Sequence, residues 1–282
     1  MATQRFPALD STAIVDTRKA LHAYAQILGG WRFSSLPRRK HWWQLGIVPS
    51  IRGLTTGVVH AGIDFELELD LVTDRLLGRV ANGGEMGEPL AGRPATELAS
   101  IVTGFLLDSG IDREHVPDDE SSDSHVIATP GYSAEIAGTL AGAFRSVSDA
   151  LSTFRAGISE ETSPIHIWPH HFDLAMMWLP GEKIPSEDPR DEESSDMQMN
   201  FGFSLGDEVI PEPYFYITAN PLPEAFPSLE LPSGATWHTE GFSGIVLLYR
   251  SLLENPNPGD HLVNLWNTVL SAGRQHMLTN TT

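Results

Sequence analysis

The stretch "IHIWPHHFDLAMMW", residues 165–178, sets His166, His170, His171 and Asp173 against the start of an apolar run. A short apolar run of this kind reads as a buried strand. A buried strand needs none of those polar groups, whereas a reaction centre or a metal site does. Side chains on a strand alternate between faces, so His171, Asp173, Ala175 and Met177 fall on one face. His170, Phe172, Leu174, Met176 and Trp178 fall on the other, which is plain core. A second stretch overlays the first: "HWWQLGI" (41–47) on "HHFDLAM" (170–176), which makes Gln44 the counterpart of Asp173.

The overlay extends outward in both directions. Residues 11–28 read as a helix capped by Asp10 or Ser11, with Ile14, Leu21, Tyr24 and Leu28 on one face and Gly29-Gly30 as its stop. Residues 41–48 read as a strand. "IDFELELDLV" (63–72) alternates apolar and acidic positions, as a half-buried strand does. "RLLGRVA" is a third strand, and Pro94 opens a helix carrying Leu98, Val102 and Leu106. The clearest helix follows Pro130-Gly131, with Leu140, Phe144, Val147, Leu151 and Phe154 at steps of three and four. After the opening stretch come strands at "NFGF", "PYFYITA" (213–219) and "GIVLLY" (244–249), then a closing helix over 259–277. "DFELELD" matches "YFYITAN", and "LLGRVA" matches "GIVLLY". The expected fold class is α+β: a duplicated helix–antiparallel strands–helix unit with pseudo-twofold symmetry and an aromatic cavity between or beside the sheets. The repeats are expected at 1–110 and 131–282, with an acidic linker at 111–130 and an acidic insertion at 181–196 inside the second.

Composition narrows the function classes. The chain has 282 residues, 41% of them hydrophobic, which is ample for a core. A net charge of −19 disfavours nucleic acid and anionic membranes as partners, because both need basic stripes. There is no cysteine, so disulfides, thiolate nucleophiles and Cys-type zinc sites are excluded. The N-terminus lacks the apolar core of a signal peptide, and no apolar run approaches the ~20 residues of a membrane span. A soluble cytoplasmic protein with a small-molecule substrate or ligand is expected. No G-x-G-x-x-G, Walker loop, H-E-x-x-H or G-x-S-x-G is present, so no nucleotide cofactor is expected.

An imidazole beside a carboxylate suits two tasks: a base held in one tautomer, or part of a divalent metal site. "IPEPYFY" (210–216) fixes Glu212 between prolines and places Tyr214 and Tyr216 on its strand face. "WHTEGFSG" (237–244) puts His238 and Glu240 two residues apart. The expected catalytic set is His171, Asp173, Glu212 and His238. The expected metal ligands, for zinc, iron or manganese, are drawn from His166, His170, His171, Asp173, Glu212, His238 and Glu240. His41, Arg52, Trp168, Tyr214 and Tyr216 are expected to bind substrate, with Arg52 as a clamp for an anion. A polar strand end satisfied by ordinary hydrogen bonds, and an ordinary aromatic core, are the plain alternatives.

Taken together, "HWWQ…RGLTT", "SPIHIWPHHFDLA", "NFGFSLGD…PEPYFY" and "WHTEG" resemble a mainly bacterial family of unknown function, from about Leu21 to Tyr249. The resemblance brings no activity. It implies counterparts of His166, Asp173, Glu212 and His238 in relatives, and small residues where this chain has His170-His171. The function these residues suggest is a small-molecule enzyme with a His/carboxylate site, by metal-assisted hydrolysis or oxidation. A metal-free acid–base lyase, isomerase or cyclase is the first alternative, and a non-catalytic binding or scaffold protein the second.

Overall fold

The structure, a computed structural model, describes residues 6–113 and 130–278. In chain order the elements are α1 (Val15–Ser35), β1 (Val48–Pro49), β2 (Gly53–Thr55), β3 (Val59–Ala61), β4 (Ile63–Asp70), β5 (Arg75–Val80), β6 (Glu85–Pro89) and α2 (Ala95–Asp108). They continue with α3 (Ala134–Arg155), β7 (Glu161–Thr162), β8 (His166–Trp168), β9 (Asp173–Leu179), α4 (Glu192–Ser195), β10 (Gln198–Ser204) and β11 (Tyr214–Asn220). The last are β12 (Ala235–His238), β13 (Gly244–Leu248), α5 (Tyr249–Leu253) and α6 (Pro258–Met277). The chain is α+β with antiparallel sheets. It divides into two compact units, one of residues 10–145 with 166–172, the other of residues 1–9, 146–165 and 173–282. The division falls inside α3, a continuous helix, and not in the acidic stretch at 111–130. Most of that stretch lies outside the described residues.

In the first unit the strand order is β1-β2-β4-β5-β6, with β3 also on β4. β4 keeps the expected alternation: Phe65, Leu67 and Leu69 are buried, and the acids between them are partly exposed. α1 runs straight through Gly29-Gly30, where the sequence suggests a stop. A helical glycine costs about 1 kcal/mol against alanine. Here both glycines are buried between Leu28 and Trp31, each fully covered, and that packing outweighs propensity. Asp10 does not cap α1, whose N-cap is Ile14 without a side-chain hydrogen bond; it closes the turn before the helix, its Oδ1 accepting from the backbone N–H of Thr12 at 2.9 Å and of Ala13 at 3.0 Å.

One expectation fails over most of its length. Of the strand expected at 41–48, residues 41–46 form none. Lys40–Trp42 is a 3-10 turn, and only the end of the segment is extended: Ile47 makes an antiparallel bridge to Ile167, and β1 begins at Val48. The overlay of "HWWQLGI" on "HHFDLAM" therefore sets a turn upon a strand, and Gln44 is not the structural counterpart of Asp173.

In the second unit the order is β12-β13-β11-β10-β9-β7. One sheet face carries Trp178, Phe201, Phe203, Phe215 and Ile217, all buried. Phe154 of α3 meets Phe201 at 4.8 Å between ring centroids and Trp266 of α6 at 5.5 Å. α6 approaches β10 at Gly273, where a Cβ would lie 2.2 Å from the sulfur of Met199. The acidic insertion 181–196 is exposed along its middle but pinned at its ends. Lys183 pairs with Asp196, and Ile184 N donates to the Ser195 carbonyl at 2.7 Å. Among the described residues no helix is long and apolar enough to cross a membrane.

Candidate functional site

The face of the second sheet opposite its aromatic core holds Asp173, Ala175, Gly202, Ser204, Tyr214, Tyr216 and Val246. The register accounts for this: Gly202 faces Ala175 on one side and Tyr216 on the other, and Tyr216 faces Val246. Tyr216 donates its hydroxyl proton to Asp173 Oδ2. Its ring lies across Gly202, where a Cβ would come 2.2 Å from the ring carbon Cζ. Glycine in a strand interior is otherwise unfavourable, so the position is kept open for the tyrosine. Burial, then the charge of Asp173, then the hydrogen bond to it push the Tyr216 phenol well above its ordinary pKa. Tyr216 therefore keeps its proton and serves as a neutral hydrogen-bond donor to the carboxylate.

A second tyrosine–aspartate pair stands beside the first. Tyr214 donates to Asp207 Oδ2 at 2.5 Å, and Asp207 Oδ1 accepts from the N–H groups of Val209 and Ile210, both at 2.8 Å. Burial and the Asp207 hydrogen bond raise the Tyr214 phenol as well. Phe242 stacks on Tyr214 at 19° between planes and packs against His238 at 4.8 Å. His238 Nε2 donates to the carbonyl of Glu240 at 2.6 Å. The Glu240 carboxylate is on an exposed residue, and Glu212 is taken up by Arg250 at 2.7 Å.

The opening stretch behaves differently from the strand that its periodicity suggests. Only His166–Trp168 and Asp173–Leu179 are extended. Between them the chain turns: Phe172 N donates to the Trp168 carbonyl at 2.7 Å, and Phe172 has φ 56°. The turn ends the alternation, so His171 and Asp173 do not share a strand face. In the first unit His170 and His171 lie with ring centroids 4.4 Å apart, and Trp168 stands between His166 and His170 at 6.1 and 5.9 Å. His166 is buried against Gly46, where a Cβ would sit 2.2 Å from Nδ1.

His22 of α1 belongs to this histidine group and was missed in the sequence. Its Nε2 donates to the His170 carbonyl at 3.2 Å, and its ring stacks on Phe172 at 5.6 Å. The available signal was the polar stripe Arg18, His22, Gln26, at steps of four on an otherwise apolar helix face. Burial lowers the pKa of His22; the carbonyls of His170 and Pro169 oppose this, and electrostatic repulsion from His171 and Arg18 adds to it. A lowered folded-state pKa means that the unfolded chain binds more protons, so stability rises with pH and falls below the ordinary value of 6.5. Acid unfolding of wild type should therefore start below about pH 6.5. His22→Gln should flatten that limb in a urea titration repeated across pH, and an unchanged limb would contradict it.

The other candidates have local partners. Arg52 donates from Nε to Asp70 at 2.7 Å, and Asp70 also caps Val72 and Thr73, so the expected anion clamp instead closes a turn. His41 is buried at φ 47° and lies 6.3 Å from Trp43. Among the described residues no three His, Asp or Glu side chains come together as ligands for one metal ion. A groove of about 650 Å³ lies at the far end of β10 and β11, lined by Met197, Pro221, Leu222, Glu224, His276 and Met277. None of the aromatic residues expected to line a cavity borders it.

A family model described as a family of unknown function (DUF5996) matches residues 6–279. The chain belongs to this family. No curated protein and no solved structure matches. The match takes in every element of both units described above, so the Asp173–Tyr216 pair and the histidine group both lie inside the DUF5996 region.

Proposed function

We propose that this DUF5996 chain is a small-molecule enzyme that works by acid–base chemistry, with the Asp173 carboxylate as its base. The observation that carries this reading is the buried Asp173 carboxylate, held by the Tyr216 hydroxyl across a glycine kept open for the ring. The tyrosine hydroxyl holds the carboxylate in one orientation, as a positioned general base requires. The reaction class is proton abstraction and return, as in a lyase, isomerase or cyclase. A metal-assisted version would need converging ligands, and the grouping of side chains gives it less support than the acid–base version. The charge of −19 favours a small molecule over nucleic acid or an anionic membrane as partner.

The test is turnover. Purified protein is incubated with a broad metabolite mixture, and compounds gained or lost, isomers resolved by chromatography before mass spectrometry, are compared with those from Tyr216→Phe. Loss of the hydroxyl should lower any turnover by about tenfold, because one hydrogen bond to a charged group is removed. Equal turnover in both proteins would remove Tyr216 from the mechanism. Binding without turnover in either would make the protein a ligand carrier.

A further inference from the structure

The groove at the far end of β10 and β11 has a volume of about 650 Å³, within the range of small-molecule sites, and lies wholly inside the second unit. One wall is the loop after β11. Pro221 and Pro223 fix its backbone and remove two N–H donors. The buried Phe226 anchors the end of that loop, and its N–H donates to the Pro223 carbonyl at 3.0 Å. Another wall is the last turn of α6, which carries His276 and Met277. That turn is held from the sheet side: Gly273 packs on Met199, and Arg274 grips Glu160 with two hydrogen bonds of 2.6 Å. Both walls are fixed by the fold, so the groove is preformed.

Its lining joins apolar surface to a single carboxylate. Met197 and Met277 supply thioether chains that adapt to a ligand's shape, and Leu222, large and apolar, is left 39% exposed. Glu224 is the carboxylate, and the lining contains no lysine or arginine. Among the described residues neither the Glu224 nor the His276 side chain has a hydrogen-bond or ion-pair partner. Elsewhere in the same unit Glu160 and Glu212 are taken up by Arg274 and Arg250. The end of α6 adds an independent negative feature. The last carbonyls of a 20-residue helix carry partial negative charge, which favours a cation beside them. The complementary ligand therefore has an apolar body and one positive charge.

We propose that this groove binds a small organic amine, with its ammonium group at Glu224 and the end of α6 and its apolar body on Met197, Leu222 and Met277. The proposal does not rest on Asp173 or on turnover. Protein labelled with ¹³C at the methionine methyls is titrated with 2-phenylethylamine and, separately, with 2-phenylethanol and 3-phenylpropionate, which differ from it chiefly in charge. Met197→Leu and Met277→Leu identify the two groove signals among the seven methionines. The amine should shift both signals to saturation, and should bind about fivefold more tightly than the alcohol, the strength of an ion pair open to solvent. Glu224→Gln removes an exposed carboxylate without a partner, so the fold should be kept and the amine should fall to the affinity of the alcohol. A saturating shift missing at one or both methyls, an alcohol or carboxylate that binds as tightly as the amine, or an amine affinity unchanged by Glu224→Gln would each overturn the proposal.

Discussion

Gly202→Ala should destabilise the second unit by about 3 kcal/mol, the cost of forcing a methyl group into a filled site and breaking a buried hydrogen bond. The added Cβ would sit 2.2 Å from a Tyr216 ring carbon, so the ring must move and the Asp173 carboxylate loses its donor. The same substitution in a Tyr216→Ala background should cost far less, because the ring that it strikes is gone. Urea unfolding of the two single variants and the double variant measures this coupling, which should exceed about 2 kcal/mol. Additive effects would mean that Gly202 is present for some reason other than the tyrosine.

Asp173→Asn should act in the opposite way, on chemistry and not on folding. Asparagine keeps an oxygen for the Tyr216 hydroxyl, so stability should change by no more than about 1 kcal/mol. Turnover should fall by at least about a hundredfold, since a positioned general base contributes that much. An unfolded Asp173→Asn protein would mark the carboxylate as structural, and a folded, fully active one would remove its role.

Much of the fold is legible in the sequence because long periodic segments impose their own structure. The repeats of Leu140, Phe144, Val147 and Leu151 on α3, and of Phe65, Leu67 and Leu69 on β4, read as they are built. The failures have local physical causes. Gly29-Gly30 does not stop α1, because packing around Leu28 and Trp31 outweighs the helical cost of glycine. The apolar look of 41–47 suggests a strand, but the left-handed backbone of His41 and Trp42 makes it a turn. Phe172 does the same to the strand expected at 170–178, and composition alone gives no sign of a positive φ at a phenylalanine.

The site was legible in part. Asp173 and Tyr216 were both singled out, and they prove to be hydrogen-bonded partners. Their pairing was not legible, because it depends on the register that sets Gly202 between β9 and β11. An interior glycine in "NFGFS" was the available hint of close approach. Glu212 is expected as a catalytic residue or metal ligand and Arg52 as an anion clamp, and each has an opposite charge at 2.7 Å. Such pairing joins residues far apart in the chain and leaves no trace in local spacing.

The most direct test of acid–base chemistry at Asp173 uses deuterated water. The protein is incubated in D₂O with the metabolite mixture, and deuterium uptake into carbon-bound positions is followed by mass spectrometry. Wild type should label at least one compound, and Asp173→Asn should label it at least about a hundredfold more slowly. No labelling by wild type, or equal labelling by the two proteins, would contradict the account.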